Sequence, residues 1–445
     1  MRAKTAIIGG GLMGTSIAWH LAQRVDSLRD TVVLFEKGEI GAGASGRASA
    51  VLSQVHQDLG LAGMARDSLK LYAAFEGVSG RPIGFQASGV LTLAASQSEA
   101  DRAQFIALAQ ELISIGIQVR LLEDDELREV VPDIQVEPGT IGLYEERGGF
   151  LDPARTMASI GALARNQGAV LRTATEVDEI LFDGDRVVGL RTSRGEIETE
   201  RVVVAAGPWT TTMLARAGVD LPLRLLRTHQ HHMQRPRLGG ADGTGDRTAE
   251  QEDLSQTWIR GFDEQHVRAE TQESDLEERY TGENEERARH PVIVDREHGI
   301  LVRCEPAQER TRVLEIGERH AEDIVDPEIE SGTSPSTFGA WAQQVLARRM
   351  PCYRGVESAG SETSWENHTP DGLPLVGEVA GTQGLWVVAG FGQRGYEFAP
   401  SIGEGMAQLL TGKPVSAFDP ERLSPARFHV TRVASRGQGM AGGTV

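Results

Sequence analysis

Short unbroken apolar runs alternate along this chain with stretches whose apolar positions suit helices. Thr5-Ala6-Ile7-Ile8 and Thr31-Val32-Val33-Leu34-Phe35 lack polar alternation, which predicts strands buried on both faces. Between them, residues 12–25 carry Leu12, Ile17, Ala18 and Leu21 on a predicted helix. Arg201-Val202-Val203-Val204-Ala205 predicts another buried strand. Asp152 and Pro153 suit an N-cap and a first-turn proline, so a helix is predicted to start there. A last helix is predicted around 399–410, and the tail 433–445, without hydrophobic period, is predicted to be a disordered end.

The first strand runs into Gly9-Gly10-Gly11-Leu12-Met13-Gly14, a G-x-G-x-x-G. Gly9 allows a tight turn, Gly11 lets the backbone approach a pyrophosphate, and Gly14 permits close helix–strand packing. The helix N-terminus, Leu12 and Met13 included, offers free N–H groups and a positive dipole. Glu36 ends the second strand 22 residues beyond Gly14, where an acid accepts hydrogen bonds from an adenosine ribose. A glycine-rich structural turn is the alternative; the strand–turn–helix–strand–Glu order favours dinucleotide binding. Lys37 then opens a second run of small residues containing Ala44, Ser45, Gly46, Arg47, Ala48 and Ser49.

At these residues the sequence resembles the FAD-dependent D-amino acid oxidase superfamily, above all its sarcosine oxidase and glycine oxidase branches. By that resemblance Ser45, Gly46 and Arg47 wrap the pyrophosphate and approach the flavin, with Ser49 following. The likeness continues through Pro82-Ile83-Gly84-Phe85, Gly149-Phe150-Leu151-Asp152-Pro153, and Ala206-Gly207-Pro208-Trp209, a second backbone turn at the cofactor. It ends in Thr369-Pro370-Asp371-Gly372 and in Gly390-Phe391-Gly392-Gln393-Arg394-Gly395-Tyr396. The latter loop is implied to face the flavin pyrimidine, and the backbone at Val177 the adenine.

The fold class implied is α/β, two-lobed: a Rossmann-like FAD-binding domain with a second, mostly antiparallel β-sheet substrate domain. The FAD-binding domain would draw on 1–78, 144–222 and 336–430, and the substrate domain on 79–143 and 223–335. The reaction implied is oxidation of the C–N bond of a secondary, N-methylated or amino-acid-type amine. Hydride passes to flavin, the imine hydrolyses, and the final electron acceptor is oxygen or a carrier. The alternatives are an FAD-binding subunit of a larger hetero-oligomeric dehydrogenase, or an amine or polyamine oxidase with a cationic substrate.

Composition adds exclusions. The 445 residues carry 45 Lys+Arg against 64 Asp+Glu, a net charge of -19, which argues against nucleic-acid binding and docking to anionic lipid. Lys4, Lys37, Lys70 and Lys413 are the only lysines. Cys304 and Cys352 form no disulfide framework or metal-ligand spacing, so a reducing, cytoplasmic setting is expected. No run reaches the roughly 20 apolar residues that span a bilayer, and no signal-peptide core is evident. His229, His231 and His232 are expected to sit on a strand and hold no metal. The segment 237–289, with 15 Asp/Glu and 7 Arg, departs from the family pattern and is expected to be an acidic loop, lid or partner-binding arm.

Three further departures concern charge. Glu366 stands where glycine oxidases carry a carboxylate-binding arginine, Glu397 where monomeric sarcosine oxidase has a carboxylate-binding lysine, and Glu315 where such oxidases hold a lysine over the flavin. Ser364 replaces a flavin-linking cysteine, so non-covalent FAD is expected. Arg47, Arg303 and Arg394 remain to hold a carboxylate bidentately. Arg394 is the first choice, with Gln393, Glu366 and Arg303 as the other candidate catalytic residues.

Overall fold

The strand Arg2–Ile8 is paired in parallel with Gly195–Val204 on one side and Val32–Phe35 on the other. These belong to an eight-stranded sheet that also holds Leu385–Ala389, Leu375–Glu378 and Val170–Arg172. Alternation decides the packing: Ile7, Leu34 and Val203 face the helices Leu12–Ala22 and Gly395–Leu410. Ala6, Ile8, Val33 and Val204 face the opposite layer, built from Met213, Leu214 and the hairpin of Val177–Asp183 with Arg186–Thr192. Both faces are covered, which is why these strands read as unbroken apolar runs.

In this computed structural model the described residues are 2–26, 30–94, 98–234, 290–305, 308–328, 334–430 and 432. The acidic segment 237–289 and the tail 433–445 lie outside them.

A second, nine-stranded sheet is antiparallel at every pairing except Val292–Asp295 with Val90–Leu93. Its near face packs Val90, Val292, Leu301 and Leu314 against Val51 and Phe150. Its far face packs Met233, Val302 and Val313 against the helix Ser336–Arg349, through Ala342 and Leu346. The strand Ser358–His368 pairs along its length with Arg224–Gln234 in this same sheet. The sequence places all of 336–430 with the cofactor lobe. The structure corrects this: the chain rejoins the first sheet only at Leu375. Among the described residues no helix is long and apolar enough to cross a membrane.

Candidate cofactor and substrate site

Parallel register brings Ile8 level with Val204, and Val204 level with Val387. Strand ends therefore deliver Gly9–Gly11, Ala206-Gly207 and Gly390 to one edge of the first sheet. Gly9 has φ +111°, and a Cβ there would lie 2.3 Å from the Ala205 carbonyl oxygen. A Cβ on Gly14 would lie 2.0 Å from the Gly9 oxygen, so the helix rests directly on the turn. The Glu36 carboxylate accepts from the N–H of Gly10 and of Gly38, both at 2.7 Å. The acid is thus latched to the glycine turn, with lone pairs left for a ribose hydroxyl. Ser45 Oγ accepts from Leu12 N–H at 3.0 Å, and Tyr396 donates its hydroxyl to the Ser45 carbonyl at 2.8 Å, tying the two cofactor loops together.

Two helix N-termini, at Gly11 and Arg394, have no side-chain cap from those residues. They leave N–H groups and dipoles suited to an anionic ligand. Asn367, which the sequence did not single out, donates to the Gly207 carbonyl at 2.6 Å. Its buried Oδ1 has no partner among the described residues, leaving an acceptor for a ligand donor. Closed glycine turns, a latched acid, bare helix ends and a spare buried acceptor fit a dinucleotide such as FAD.

Two neighbouring tryptophan rings lie between two cations. The Lys37 ammonium lies 3.8 Å from the Trp209 ring centre, and the Trp209 and Trp365 rings are 5.8 Å apart. The Arg47 guanidinium lies 4.6 Å from the Trp365 ring. Trp209 Nε1 donates to Glu328 at 2.9 Å.

The backbone of Arg47, Ala48 and Ser49 is gripped from the second sheet. Arg312 donates to the carbonyls of Arg47 at 3.1 Å and Ala48 at 3.4 Å. Gln230 also donates to Arg47, at 2.6 Å, and accepts from Arg312 at 2.6 Å. Arg303 donates to the Ser49 carbonyl and, at 3.3 Å, to that of Leu151. Glu305 holds Arg303, Arg310 and Arg312 together, the last at 2.7 Å. Burial alone would raise the Glu305 carboxyl, but the three guanidinium groups bring it down to about 2. Burial lowers Arg303 to about 10, against the pull of Glu305. Arg303 is only 4% exposed; both of its terminal nitrogens are engaged in this network, while its buried Nε has no partner among the described residues.

A second buried network lies elsewhere in the same sheet. Arg349 binds Asp295 at 2.6 Å, Glu297 at 3.1 Å and His298 Nδ1 at 2.7 Å, and donates to the Gln135 carbonyl at 2.6 Å. Asp295, Glu297 and His298 lie close enough together to hold a metal ion, but the guanidinium already occupies their midst.

Glu315, Glu366 and Glu397 each have a histidine close by. His320 Nδ1 lies 3.2 Å from Glu315, His368 Nε2 3.0 Å from Glu366, and His56 Nε2 3.1 Å from Glu397. Gln393 donates to the Glu315 carbonyl at 2.8 Å, joining the last glycine loop to the second sheet. Arg394 donates to the Gly372 carbonyl at 2.8 Å. Among the described residues, neither Arg394 nor Arg47 forms an ion pair with a carboxylate. Glu145, absent from the sequence candidates, is fully buried and accepts from Ser53 Oγ and Gln54 N–H, both at 2.6 Å. Burial raises its carboxyl to about 7, and the charge of Glu397 adds to the rise, while the bonds from Ser53 and Gln54 oppose it.

The histidine cluster splits by strand alternation. His229 packs on Phe338 at 5.4 Å between ring centres and His231 bonds Ser361 Oγ at 2.7 Å, while His232 pairs with Glu362 at 2.9 Å.

These features define a dinucleotide-binding α/β protein whose second sheet closes over the cofactor loops. The chain matches the FAD dependent oxidoreductase family (DAO) over residues 4–409 and belongs to it. It is 26% identical over 437 residues to the 4-methylaminobutanoate oxidase (formaldehyde-forming) of Paenarthrobacter nicotinovorans, covering 96% of this chain and 45% of that protein. It is 26% identical over 444 residues to the mitochondrial dimethylglycine dehydrogenase of Homo sapiens, covering 96% and 44%. The chain thus spans about half the length of these relatives. A glycine oxidase of Geobacillus kaustophilus is 26% identical over 442 residues, 97% of this chain and 98% of that one. The fold is that of the L-proline dehydrogenase of P. horikoshii, with a TM-score of 0.76 at 20% identity, covering 96% of this chain and 98% of that one.

Proposed function

We propose that this chain oxidises the C–N bond of a secondary or N-methylated amine that also carries a carboxylate, using non-covalently bound FAD. The observation that carries the reading is the convergence, in a member of the FAD dependent oxidoreductase family, of the glycine turns with Asn367, Gln393 and the His56–Glu397 pair. The relatives named for N-methylated substrates support the substrate class.

When bound, FAD supplies acceptance of two electrons and a proton equivalent from the substrate C–H bond. The chain's own residues bind and orient. Arg394, with Arg47, is the anchor for the substrate carboxylate, since neither pairs with a carboxylate among the described residues. The buried His56–Glu397 pair accepts the ammonium proton, leaving the nitrogen lone pair that assists C–H cleavage. Oxygen or a carrier takes the electrons afterwards. The shared length with only half of two relatives supports a second reading, in which this chain is the FAD-binding part of a larger dehydrogenase.

The test is anaerobic mixing of the FAD-loaded protein with sarcosine, dimethylglycine, 4-methylaminobutanoate, glycine, proline and a polyamine. N-methylated amino acids are expected to bleach the flavin fastest, and Arg394→Ala to weaken their binding. Bleaching by the polyamine alone would overturn the substrate class, and unchanged binding in Arg394→Ala would overturn the anchor.

A further inference from the structure

Ile300–Glu305 and Arg310–Glu315 are neighbouring antiparallel strands, with Arg303 directly opposite Arg312 and Glu305 opposite Arg310. Like charges opposite one another repel, and here they do so in a buried setting, with Arg303 4%, Arg312 6% and Glu305 3% exposed. One buried carboxylate serves three guanidinium groups, with Glu362 sharing Arg312 from the rim at 3.4 Å. The positive charge therefore exceeds the negative. Such an arrangement is a poor device for stability alone, because desolvating surplus charge is costly. The network makes another set of contacts: its guanidinium groups donate to three successive carbonyls, those of Arg47, Ala48 and Ser49. One residue, Gly46, separates them from Ser45, whose Oγ accepts from Leu12 N–H and whose carbonyl accepts from Tyr396.

We propose that Glu305 is a positioning residue for the cofactor: through Arg303 and Arg312 it fixes the segment 47–49 from the second sheet and sets how tightly the chain holds FAD. Glu305 touches no part of the ligand in this role. The inference depends on FAD binding and is independent of which amine is oxidised.

The Arg349 network supplies the control. It is equally buried, with Arg349 3% and Asp295 0% exposed, but its one guanidinium meets two carboxylates and its backbone contact is Gln135. Apo-protein would be titrated with FAD by quenching of flavin fluorescence, alongside thermal melting of the apo form and trypsin cleavage after Arg47. For Glu305→Gln the dissociation constant is expected to rise at least about tenfold and cleavage after Arg47 to quicken, with Glu305→Asp partly restoring both. Arg349→Met is expected to lower the melting temperature while leaving the FAD dissociation constant within about twofold. An unchanged constant in Glu305→Gln, or an equal rise in Arg349→Met, would overturn the proposal. Should Glu305→Gln fail to fold, Gln230→Ala carries the test, since it removes only the bonds to Arg47 and Arg312. A severalfold weaker FAD complex supports the proposal, and an unchanged one overturns it.

Discussion

Two buried ion networks in one sheet show how similar chemistry can do different work. Around Arg349, a single guanidinium joins Asp295, Glu297, His298 and the Gln135 carbonyl, so it ties together parts of the second lobe. Around Glu305, three guanidinium groups outnumber the carboxylate and reach across to the segment following the pyrophosphate loop. Burial does not separate them. Charge balance and the backbone they hold do.

The largest effect expected from breaking this comparison is on Glu305→Gln, which leaves Arg303 and Arg312 facing each other uncompensated. Its unfolding free energy should fall by about 3–5 kcal/mol in urea titration, with loss of FAD. Asp295→Asn should cost about 3 kcal/mol by the same measurement, with FAD retained. If both variants lose FAD equally, the distinction fails.

A smaller effect concerns pH. The folded Glu145 carboxyl stands raised, at about 7, so its contribution to stability is full below about 4.5 and is lost as pH rises through about 7. Glu145→Gln should therefore flatten the stability profile over that window, by on the order of 2–3 kcal/mol, in urea midpoints compared at about pH 5 and pH 8. Glu305 behaves oppositely. Its lowered carboxyl stabilises the fold above about 4.5, and that contribution disappears as pH falls through about 2. The smallest effect belongs to an exposed pair: Arg191→Met, which removes contacts to Glu179 and Glu196, should change stability by less than about 1 kcal/mol.

The glycine turns were legible in the sequence because their spacing is local and each position has a steric reason. The Gly14 approach to Gly9 is such a case. The roles of Arg303 and Glu305 were not legible. Every residue of Ile300–Glu305 is buried, so no polar alternation marks which face meets the cofactor loop. The histidine beside Glu397 was equally hidden, since His56 meets it only through tertiary folding. Ser358–His368 was assigned to the wrong lobe because it adjoins a cofactor motif in sequence, whereas its hydrogen bonds lie with Arg224–Gln234.

The most direct test of the whole account is a single turnover of the FAD-loaded protein with an N-methylated amino acid, without oxygen. Flavin reduction and carbonyl product would be counted together. The account predicts one equivalent of aldehyde and one of dealkylated amine for each FAD reduced. Flavin reduction without C–N cleavage, or no reduction by any amine in a protein that dithionite still bleaches, would contradict it.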